Sequence, residues 1–281
     1  MTSLQLLIST IDDGIKLVGE ILLAPRQGVS YVVSWQITGG MTIADCPQEL
    51  LMRPDVKVAT MHNRGLSRNR NNTIALANAD ICLICDDDCR YTPEQLDEVV
   101  SKFETDPSLD IATFKMADNG TSKKTYPTAT TILGSRLPRN YYASSVEIAF
   151  RLKSVRGKVE FNEEFGLGSE TLWCGEEELF LHEAIERGLK CVFFPMVAVT
   201  TNKPTTGTTR CTLPQVLMGR GAFMKAAYPF TCHMRAVKIA HRLHNKTGMP
   251  TWQCIRHMFN GMSYYQKLKK SKKPQHRKSR L

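Results

Sequence analysis

Residues 81–88 read ICLICDDD, a run of five apolar residues that leads directly into three aspartates. A short apolar run that ends at polar residues is typical of a buried β-strand. In parallel α/β sheets, the carboxyl ends of the strands open into the crevice where ligands bind. Carboxylates packed together there repel one another unless a cation neutralises them, and Mg²⁺ and Mn²⁺ prefer oxygen ligands. The stretch therefore predicts a divalent cation that bridges a diphosphate, and the alternative is a solvated acidic turn.

Strand-like and helix-like segments alternate on both sides of this run, through the first two-thirds of the chain. The alternation predicts an α/β fold with a largely parallel sheet. The predicted strands cover residues 4–11, 29–37, 56–60, 81–85, 109–114 and 192–199. The predicted helices cover 15–22, 67–77, a segment that begins after Thr92, 145–153 and a segment that ends before Gly188. Residues 118–143 are predicted to form a long loop, and such a loop inside a compact domain usually has a function.

The last third of the chain is predicted to be helical, over 214–228, 232–245 and 251–267. The predicted organisation is an α/β domain over 1–212, a helical extension over 213–266 and a basic tail over 267–281. Four apolar residues of the last helix recur at helical spacing, and we expect this stripe to pack on the preceding domain. They are Trp252, Ile255, Phe259 and Met262.

The composition is that of a globular protein. The chain has 281 residues, of which 42% are hydrophobic, and a formal net charge of +10. These values exclude a collagenous, coiled-coil or disordered protein. No apolar run approaches the ~18 residues that a transmembrane helix needs, and the first residues lack a signal-peptide pattern, so we expect a cytoplasmic protein. The odd number of cysteines, nine, argues against a disulfide framework and favours reduced thiols.

The positive charge is concentrated near the C-terminus, where residues 267–280 hold eight lysines or arginines and no acid. Such a segment suits an anionic lipid surface or a nucleic acid. A solvated, disordered terminus is the alternative. We expect a membrane surface rather than nucleic acid, because nothing outside the tail favours nucleic acid.

Two further stretches carry charged side chains suited to a binding site. Residues 176–178 are three glutamates that follow Gly175 at the start of a predicted helix. Acids stabilise a helix N-terminus through the helix dipole, which is one explanation, and a general base that reaches an acceptor hydroxyl is the other. Residues 64–71 read RGLSRNRN. Backbone amides at a helix start, together with Arg68 or Arg70, are suited to holding a phosphate or a nucleotide.

Three cysteines near the aspartates, Cys82, Cys85 and Cys89, invite comparison with a metal cluster. Cys82 and Cys85 lie three residues apart on a strand, so their side chains point to opposite faces. Joint ligation of one ion is then difficult, and we predict small buried thiols instead.

Taken in order, five motifs resemble those of a bacterial family 2 glycosyltransferase with the GT-A fold, of the surface-polysaccharide type. The motifs are ISTIDDG at 8–14, VSWQ at 33–36, RGLSRNRN at 64–71, ICDDDCRYTP at 84–93 and FGLG…GEEELFL at 165–181. The resemblance covers roughly residues 4–210. It implies a Rossmann-like, mostly parallel central sheet flanked by helices, with a helical C-terminal extension.

The resemblance also implies a role for individual side chains. The implied donor-binding residues are Thr10, Asp12, Gln36, Arg70, Asp86 and Asp87. It makes Asp88 the direct metal ligand, with Asp86 as a second ligand nearer the ribose or sugar. It makes Glu177 the catalytic base, with Glu176 orienting the donor sugar or the acceptor. The cation is then Mn²⁺ or Mg²⁺, held by Asp88, the diphosphate and water, because the late loop over 200–210 contains no histidine.

The activity that the resemblance implies is inverting transfer of a hexosyl group. The sugar moves from a nucleotide-sugar donor, with a UDP-sugar expected, to a hydroxyl of a glycan or lipid-linked glycan in cell-surface polysaccharide synthesis. The loop over 200–210, which contains Gly207, is expected to close over the donor. Two alternatives are a sugar-nucleotide nucleotidyltransferase, which needs a Gly-rich phosphate loop after the first strand, and a non-enzymatic nucleic-acid-binding protein that uses the basic tail.

Overall fold

The computed structural model of the protein describes residues 1–118, 121, 122, 124–135, 137–201 and 210–271. The chain forms two compact units. The first consists of Met1–Glu163 and Glu176–Pro204, and the second of Glu164–Gly175 and Thr205–Leu281. The domain boundaries predicted from the sequence stay a prediction. The second unit includes Glu164–Gly175, a segment that the sequence predicts to belong to the α/β domain.

The described part of the first unit is built on one sheet of ten strands. They are β1 (Leu4–Ile11), β2 (Val29–Gln36), β3 (Val56–Met61), β4 (Ile81–Asp86), β5 (Cys89–Arg90), β6 (Ile111–Asp118), β7 (Thr121–Ser122), β8 (Thr131–Leu133), β9 (Ile148–Arg151) and β10 (Cys191–Thr201). The main order across the sheet is β3-β2-β1-β4-β9-β6-β10-β5. The predicted strands are all found, with ends that differ by a few residues.

The helices of the first unit are α1 (Gln48–Met52), α2 (Leu66–Leu76), α3 (Pro93–Thr105), α4 (Leu152–Val155) and α5 (Glu176–Glu186). Helix α3 begins after Thr92, as predicted, because the Thr92 hydroxyl accepts from the backbone N–H of Gln95 while the Gln95 side chain accepts from the N–H of Thr92. Residues 12–20 form a 3-10 helix where the sequence predicted a helix over 15–22.

The first four strands bring several sequence motifs to one edge of the sheet. Strands β3, β2, β1 and β4 run parallel to one another. Ser9 of β1 lies opposite both Ser34 of β2 and Asp86 of β4. Because these strands end at the same edge, the residues that follow them share the crevice where parallel sheets bind ligands. The predicted α/β fold class, with a mostly parallel central sheet, is confirmed.

The helix predicted over 145–153 is wrong. Residues Ser145–Glu147 form a 3-10 turn, and Ile148–Arg151 form β9, which pairs antiparallel with both β4 and β6. Ala149 belongs to the apolar layer on one face of the sheet, and Ile148 and Phe150 belong to the layer on the other. A short apolar run that is buried on both faces has no alternation of polar and apolar residues, so its periodicity does not separate strand from helix.

The same two layers confirm that the cysteines around β4 are buried thiols. Cys82 packs in one layer, and Cys85 and Cys89 pack in the other. Burial raises the pKa of the Cys82 thiol to about 12. Burial, followed by the neighbouring Cys85, also raises the pKa of Cys89. The thiols of Cys82 and Cys89 are therefore neutral at physiological pH and pack as apolar core residues do.

The described part of the second unit is helical, with α6 (Pro214–Ala227), α7 (Cys232–Thr247) and α8 (Thr251–Ser271). Helices α6 and α8 cross at two glycines. A Cβ on Gly221 would clash with the backbone of Met258, and one on Gly261 would clash with the backbone of Met218. The two backbones therefore touch directly. Among the helices described, none is both long enough and apolar enough to span a bilayer.

The apolar stripe predicted on the last helix is wrong at Trp252, and its packing on the preceding domain stays a prediction. The buried residues of α8 are Cys254, Met258, Gly261 and Met262. Trp252 is 60% exposed, and Ile255 and Phe259 are only partly buried. Helix α6 approaches α8 so closely that the residue at the contact must have no Cβ, which is the case at Gly261. The face of α8 that carries Gly261 and Met258 is therefore buried, and the face that carries Trp252 is not.

Replacing Gly261 with alanine is expected to destabilise the second unit by about 1–3 kcal/mol, because the added methyl overpacks the contact with the Met218 backbone. Thermal or urea unfolding measures the change. Gly134→Ala is the matched control, since a Cβ there meets nothing within 4 Å. A Gly261→Ala protein as stable as wild type would contradict the direct contact between α6 and α8.

Candidate active site

The centre of the site is Arg70, whose side chain is only 2% exposed. Helix α2 begins after Gly65, which has a φ of +125°, and places Arg70 behind the ends of the central strands. Its Nη1 donates to Glu176 Oε1 at 3.0 Å, and its Nη2 donates to Asp86 Oδ1 at 3.1 Å. Nη2 also donates to the Ser145 hydroxyl at 2.7 Å. One guanidinium thus joins α2, the end of β4, the start of α5 and the 3-10 turn before β9.

The charges around this guanidinium are predominantly negative. Burial lowers the pKa of Arg70, but the carboxylates of Asp86, Glu176 and Glu177 outweigh that effect, so the pKa stays above its ordinary value. Among the described residues, Arg70 Nε and Glu176 Oε2 are buried without a hydrogen-bond partner. Buried polar groups in folded proteins are almost always paired, so such atoms mark a place where a ligand is expected.

Glu177 lies beside this cluster at the start of α5. Its side chain is partly exposed, but its Oε2 is buried and meets no hydrogen-bond partner within the described residues. Burial raises the pKa of Glu177 well above its ordinary value, repulsion from Glu176 and Glu178 adds to this, and Arg70 opposes it. A carboxylate with a raised pKa is a stronger base than an ordinary one. A role for Glu177 in proton transfer rests on these two features, the raised pKa and the unpartnered carboxylate oxygen.

Two other predicted residues meet where β1 and β4 end. The Thr10 hydroxyl donates to Asp87 Oδ2 at 2.8 Å. A Cβ on Gly14 would overlap both Asp87 Oδ2 and Thr10 Oγ1. Gly14 therefore leaves the space in which this pair forms. Gly14 lies in the ISTIDDG motif, but the sequence alone predicts no role for it.

Asp12 follows β1 in an uncommon backbone conformation, with a φ of +44°. Its carboxylate accepts from the Thr38 backbone N–H at 2.7 Å and from the Thr38 hydroxyl at 2.5 Å. Its backbone oxygen accepts from the Trp35 indole N–H at 2.9 Å. The bonds from Thr38 lower the pKa of Asp12. The carboxylate is therefore fixed and ionised next to the crevice.

Gln36, at the end of β2, is buried and has contacts of its own with the protein. Its Nε2 donates to the backbone oxygen of Gly65 at 3.0 Å, in the turn that starts α2. Asn69 adds a second tie, since its Nδ2 donates to the backbone oxygen of Thr10 at 2.9 Å. These amides fix α2, and with it Arg70, against β1 and β2. Because the side-chain nitrogen of Gln36 is bound to Gly65, its side-chain oxygen is the atom left to contact a sugar nucleotide.

The donor atoms for a cation are carboxylate oxygens, the type that Mg²⁺ and Mn²⁺ prefer. Asp86 is bound to Arg70, Asp87 is bound to Thr10, and Asp88 follows them on the turn into β5. In the part of the chain that the structure describes, no three histidine, cysteine or acidic side chains form a group that could hold a metal ion. A cation with one or two protein carboxylates and substrate phosphates is the usual Mg²⁺ arrangement, and these residues fit it.

Sequence reasoning missed Ser145 and the ion pair behind it. Ser145 lies in the 3-10 turn whose Glu147 is fully buried. Glu147 accepts from Lys124 Nζ at 2.6 Å and from the Tyr126 hydroxyl. The Ser144 N–H also donates to Glu147, at 2.7 Å. The spacing of Ser144 and Glu147 is that of a capping box, which is the one local signal that predicts a turn here.

Parts of two predictions lie outside the described residues. Residues 202–209 include Gly207 and most of the loop expected to close over the donor, and residues 272–281 make up most of the basic tail. Both predictions stay predictions.

Comparison with known protein sequences gives two findings. Residues 42–159 match the model of the glycosyl transferase family 2. This range includes the basic turn before α2 and the three aspartates after β4. By sequence, no curated protein matches the chain.

The solved structures that resemble this chain include those of Staphylococcus aureus TarS residues 1–349. One has a TM-score of 0.60 at 14% identity, over 95% of this chain and 92% of that chain. The complex of the same protein with UDP-GlcNAc has a TM-score of 0.61 at 13% identity, with the same coverage. A third structure is its complex with UDP, with a TM-score of 0.60 at 13% identity. At such identities the likeness establishes the fold, which is the predicted GT-A fold.

Proposed function

We propose that this protein is a family 2 glycosyltransferase that moves a hexosyl group from a UDP-sugar to a hydroxyl of a glycan or lipid-linked glycan, with inversion. The observation that carries the proposal is the buried Arg70, bound to Asp86 and Glu176, with Glu177, whose pKa is raised, beside it. The family match over residues 42–159 supports the reaction class. The likeness in fold to TarS, solved with UDP-GlcNAc and with UDP, supports the donor class.

The donor half of the site lies at the carboxyl ends of the parallel strands. Asp12 is ionised and held by Thr38, which suits its carboxylate to accept a hydrogen bond from a ribose hydroxyl of the sugar nucleotide. Thr10, Gln36 and Asp87 complete this side of the crevice. Ligands bind at such an edge because several strands deliver side chains to one place.

A cation is part of the proposal because the site is too acidic to bind a diphosphate alone. Asp86, Glu176 and Glu177 surround one arginine, and the remaining acids at 87, 88 and 178 add further negative charge. A diphosphate placed there would be repelled. Mg²⁺ or Mn²⁺, held by Asp88 with Asp86 nearby, would supply positive charge to the diphosphate as it leaves.

Glu177 acts on the acceptor. Its carboxylate takes the proton of the acceptor hydroxyl as that oxygen bonds to the anomeric carbon. The bond between the anomeric carbon and the phosphate oxygen breaks, and the electron pair leaves with UDP. A single displacement from the opposite face inverts the anomeric centre. Glu176, fixed by Arg70, orients the sugar or the acceptor. A place in cell-surface polysaccharide synthesis, at the cytoplasmic face of the membrane, belongs to the same proposal.

Thermal unfolding in the presence of sugar nucleotides tests the identity of the donor and the need for a cation together. The panel consists of UDP-, GDP-, dTDP- and CMP-sugars, each with Mn²⁺, Mg²⁺ or EDTA. We expect a shift with UDP-sugars alone, worth about 2.7 kcal/mol at a hundred times Kd. EDTA and Asp88→Ala should each remove it. Asp13→Ala, at an exposed acid next to the site that pairs with Lys16, should keep it.

The possible outcomes separate the parts of the proposal. A stabilisation that persists in EDTA would contradict the proposed cation but would still support the sugar-nucleotide site. Stabilisation by the sugars of another nucleotide alone would replace UDP as the proposed nucleotide of the donor. A folded protein that no sugar nucleotide stabilises would contradict the proposed function.

A further inference from the structure

The charge of this chain is divided sharply along its length. From Arg187 to the C-terminus there is no aspartate or glutamate, although this segment contains nineteen lysines or arginines. All 27 acids lie in residues 1–186. Eight of the nineteen cations lie in α7 and α8, and five of these eight precede the basic tail, which begins at Lys267. A surface with cations and no acids attracts an anionic partner.

Helix α7 also exposes large apolar side chains on the face away from its core contacts. Its buried residues are Cys232, Ala236, Ala240 and Leu243. Met234 and Val237 are three residues apart on the opposite face and are 69% and 46% exposed. Phe230, one turn before Met234, is 98% exposed. Three large apolar side chains along one outer stripe form a patch of the kind that marks an interaction site.

Cations flank this stripe along the helix. Lys238 lies one turn after Met234, and Arg235, Arg242 and Lys246 recur along one side at helical spacing. The Arg235 guanidinium lies 3.8 Å over the Tyr228 ring, which fixes it at the start of the helix. An apolar stripe bordered by cations is the pattern of a helix that lies in the plane of a membrane surface.

We propose that α7 binds an anionic membrane surface, with Phe230, Met234 and Val237 inserted among the lipid headgroups and the flanking cations on the lipid phosphates. The proposal does not depend on the proposed glycosyl transfer. It differs from membrane contact through the basic tail, because it assigns binding to a folded helix with an apolar component. Each cation near an anionic surface contributes to binding, and the inserted side chains add an attraction that salt does not screen.

Charge argues against a second copy of the chain as the occupant. Two copies of α7 would bring cations against cations, and the acid-free segment supplies no carboxylate to pair them. A nucleic acid would use the cations but would leave the apolar stripe without a partner.

Flotation of the full-length protein with vesicles tests the proposal. We expect binding to vesicles of phosphatidylglycerol and phosphatidylcholine in equal parts, weak binding to phosphatidylcholine alone, and a part of the binding that persists in high salt. The double variant Met234→Glu/Val237→Glu should lower binding by about tenfold or more. Ile132→Glu is the matched control, since Ile132 is 74% exposed in the first unit, and should bind as wild type does.

Because the substituted side chains lie outside the core, the double variant should unfold at the wild-type temperature. A Met234→Trp variant supplies an independent measurement, since brominated lipid should quench its fluorescence beyond the wild-type level. Wild-type binding by the double variant would overturn the proposal in favour of the tail. A protein that binds no vesicles, or a dimer that the double variant abolishes, would also overturn it.

Discussion

Replacing Arg70 with methionine is expected to lower the free energy of unfolding by about 3–5 kcal/mol, and to abolish transfer. Methionine fills much of the same space but removes the cation that contacts both Asp86 and Glu176. Glu176 is almost fully buried, so its charge would be left unpaired in a poorly solvated place. Removing one partner of a buried ion pair costs far more than the pair itself contributes. Urea unfolding measures the loss.

Arg68→Met is the control for this experiment. Arg68 lies two residues earlier on the same helix and pairs with Glu163 at 2.9 Å, but both side chains are about half exposed. An exposed pair of this kind is worth about 0–1 kcal/mol. Adding Glu176→Gln to Arg70→Met should recover part of the lost stability, because it removes the unpaired charge. Equal effects of Arg70→Met and Arg68→Met would mean that the buried cluster does not hold the site together.

The strand ends are the part of the site that the sequence predicts best. The run ICLIC leads into Asp86, and LQLLISTI leads into Asp12. Parallel pairing of β1 and β4 then follows from the alternation of strands and helices, and it brings the two acids to one edge. Local patterns suffice here because the position of each residue depends only on where its own strand ends.

The partners of Arg70 are the part that the sequence does not predict. Glu176 lies 106 residues and Ser145 lies 75 residues from Arg70. The Ser145 contact depends on β9, and the local pattern does not separate this strand from a helix because IAF is buried on both faces. Its position between β4 and β6 is fixed by pairing with strands far away in the chain, and no local signal encodes such pairing. The buried positions Cys254, Met258 and Gly261 of α8 escape prediction for a related reason, since the approach of another helix selects Gly261.

Replacing Glu177 with glutamine is expected to lower the rate of transfer by about 10²–10⁴-fold while leaving donor binding in place. Glutamine keeps the shape of the side chain but cannot take the proton of the acceptor. The stabilisation by a UDP-sugar should therefore persist in the variant. Wild-type transfer should also lose rate as the pH falls through the raised pKa of Glu177, well above the ordinary value for glutamate.

The same substitution should change how stability depends on pH. The pKa of Glu177 is raised in the folded chain, so the folded protein holds a proton that the unfolded chain has already lost above about pH 4.5. Stability therefore falls as the pH rises from there through the raised pKa, and it falls no further above it. Glu177→Gln removes this titrating group from both the folded and the unfolded chain. The stability of the variant should therefore fall less than that of the wild type over this pH range, and should exceed it at high pH.

Glu183→Gln separates these effects from a general effect of neutralising an acid on α5. Glu183 is on the same helix and pairs with Arg187 at 2.6 Å at the surface. The Glu183→Gln protein should keep both the transfer rate and the pH dependence of the wild type. Transfer near the wild-type rate in Glu177→Gln would move the base to Glu176 or Glu178. A lost rate with an unchanged pH dependence of stability would instead mean that Glu177 titrates normally, and that its role is to bind the acceptor rather than to take its proton.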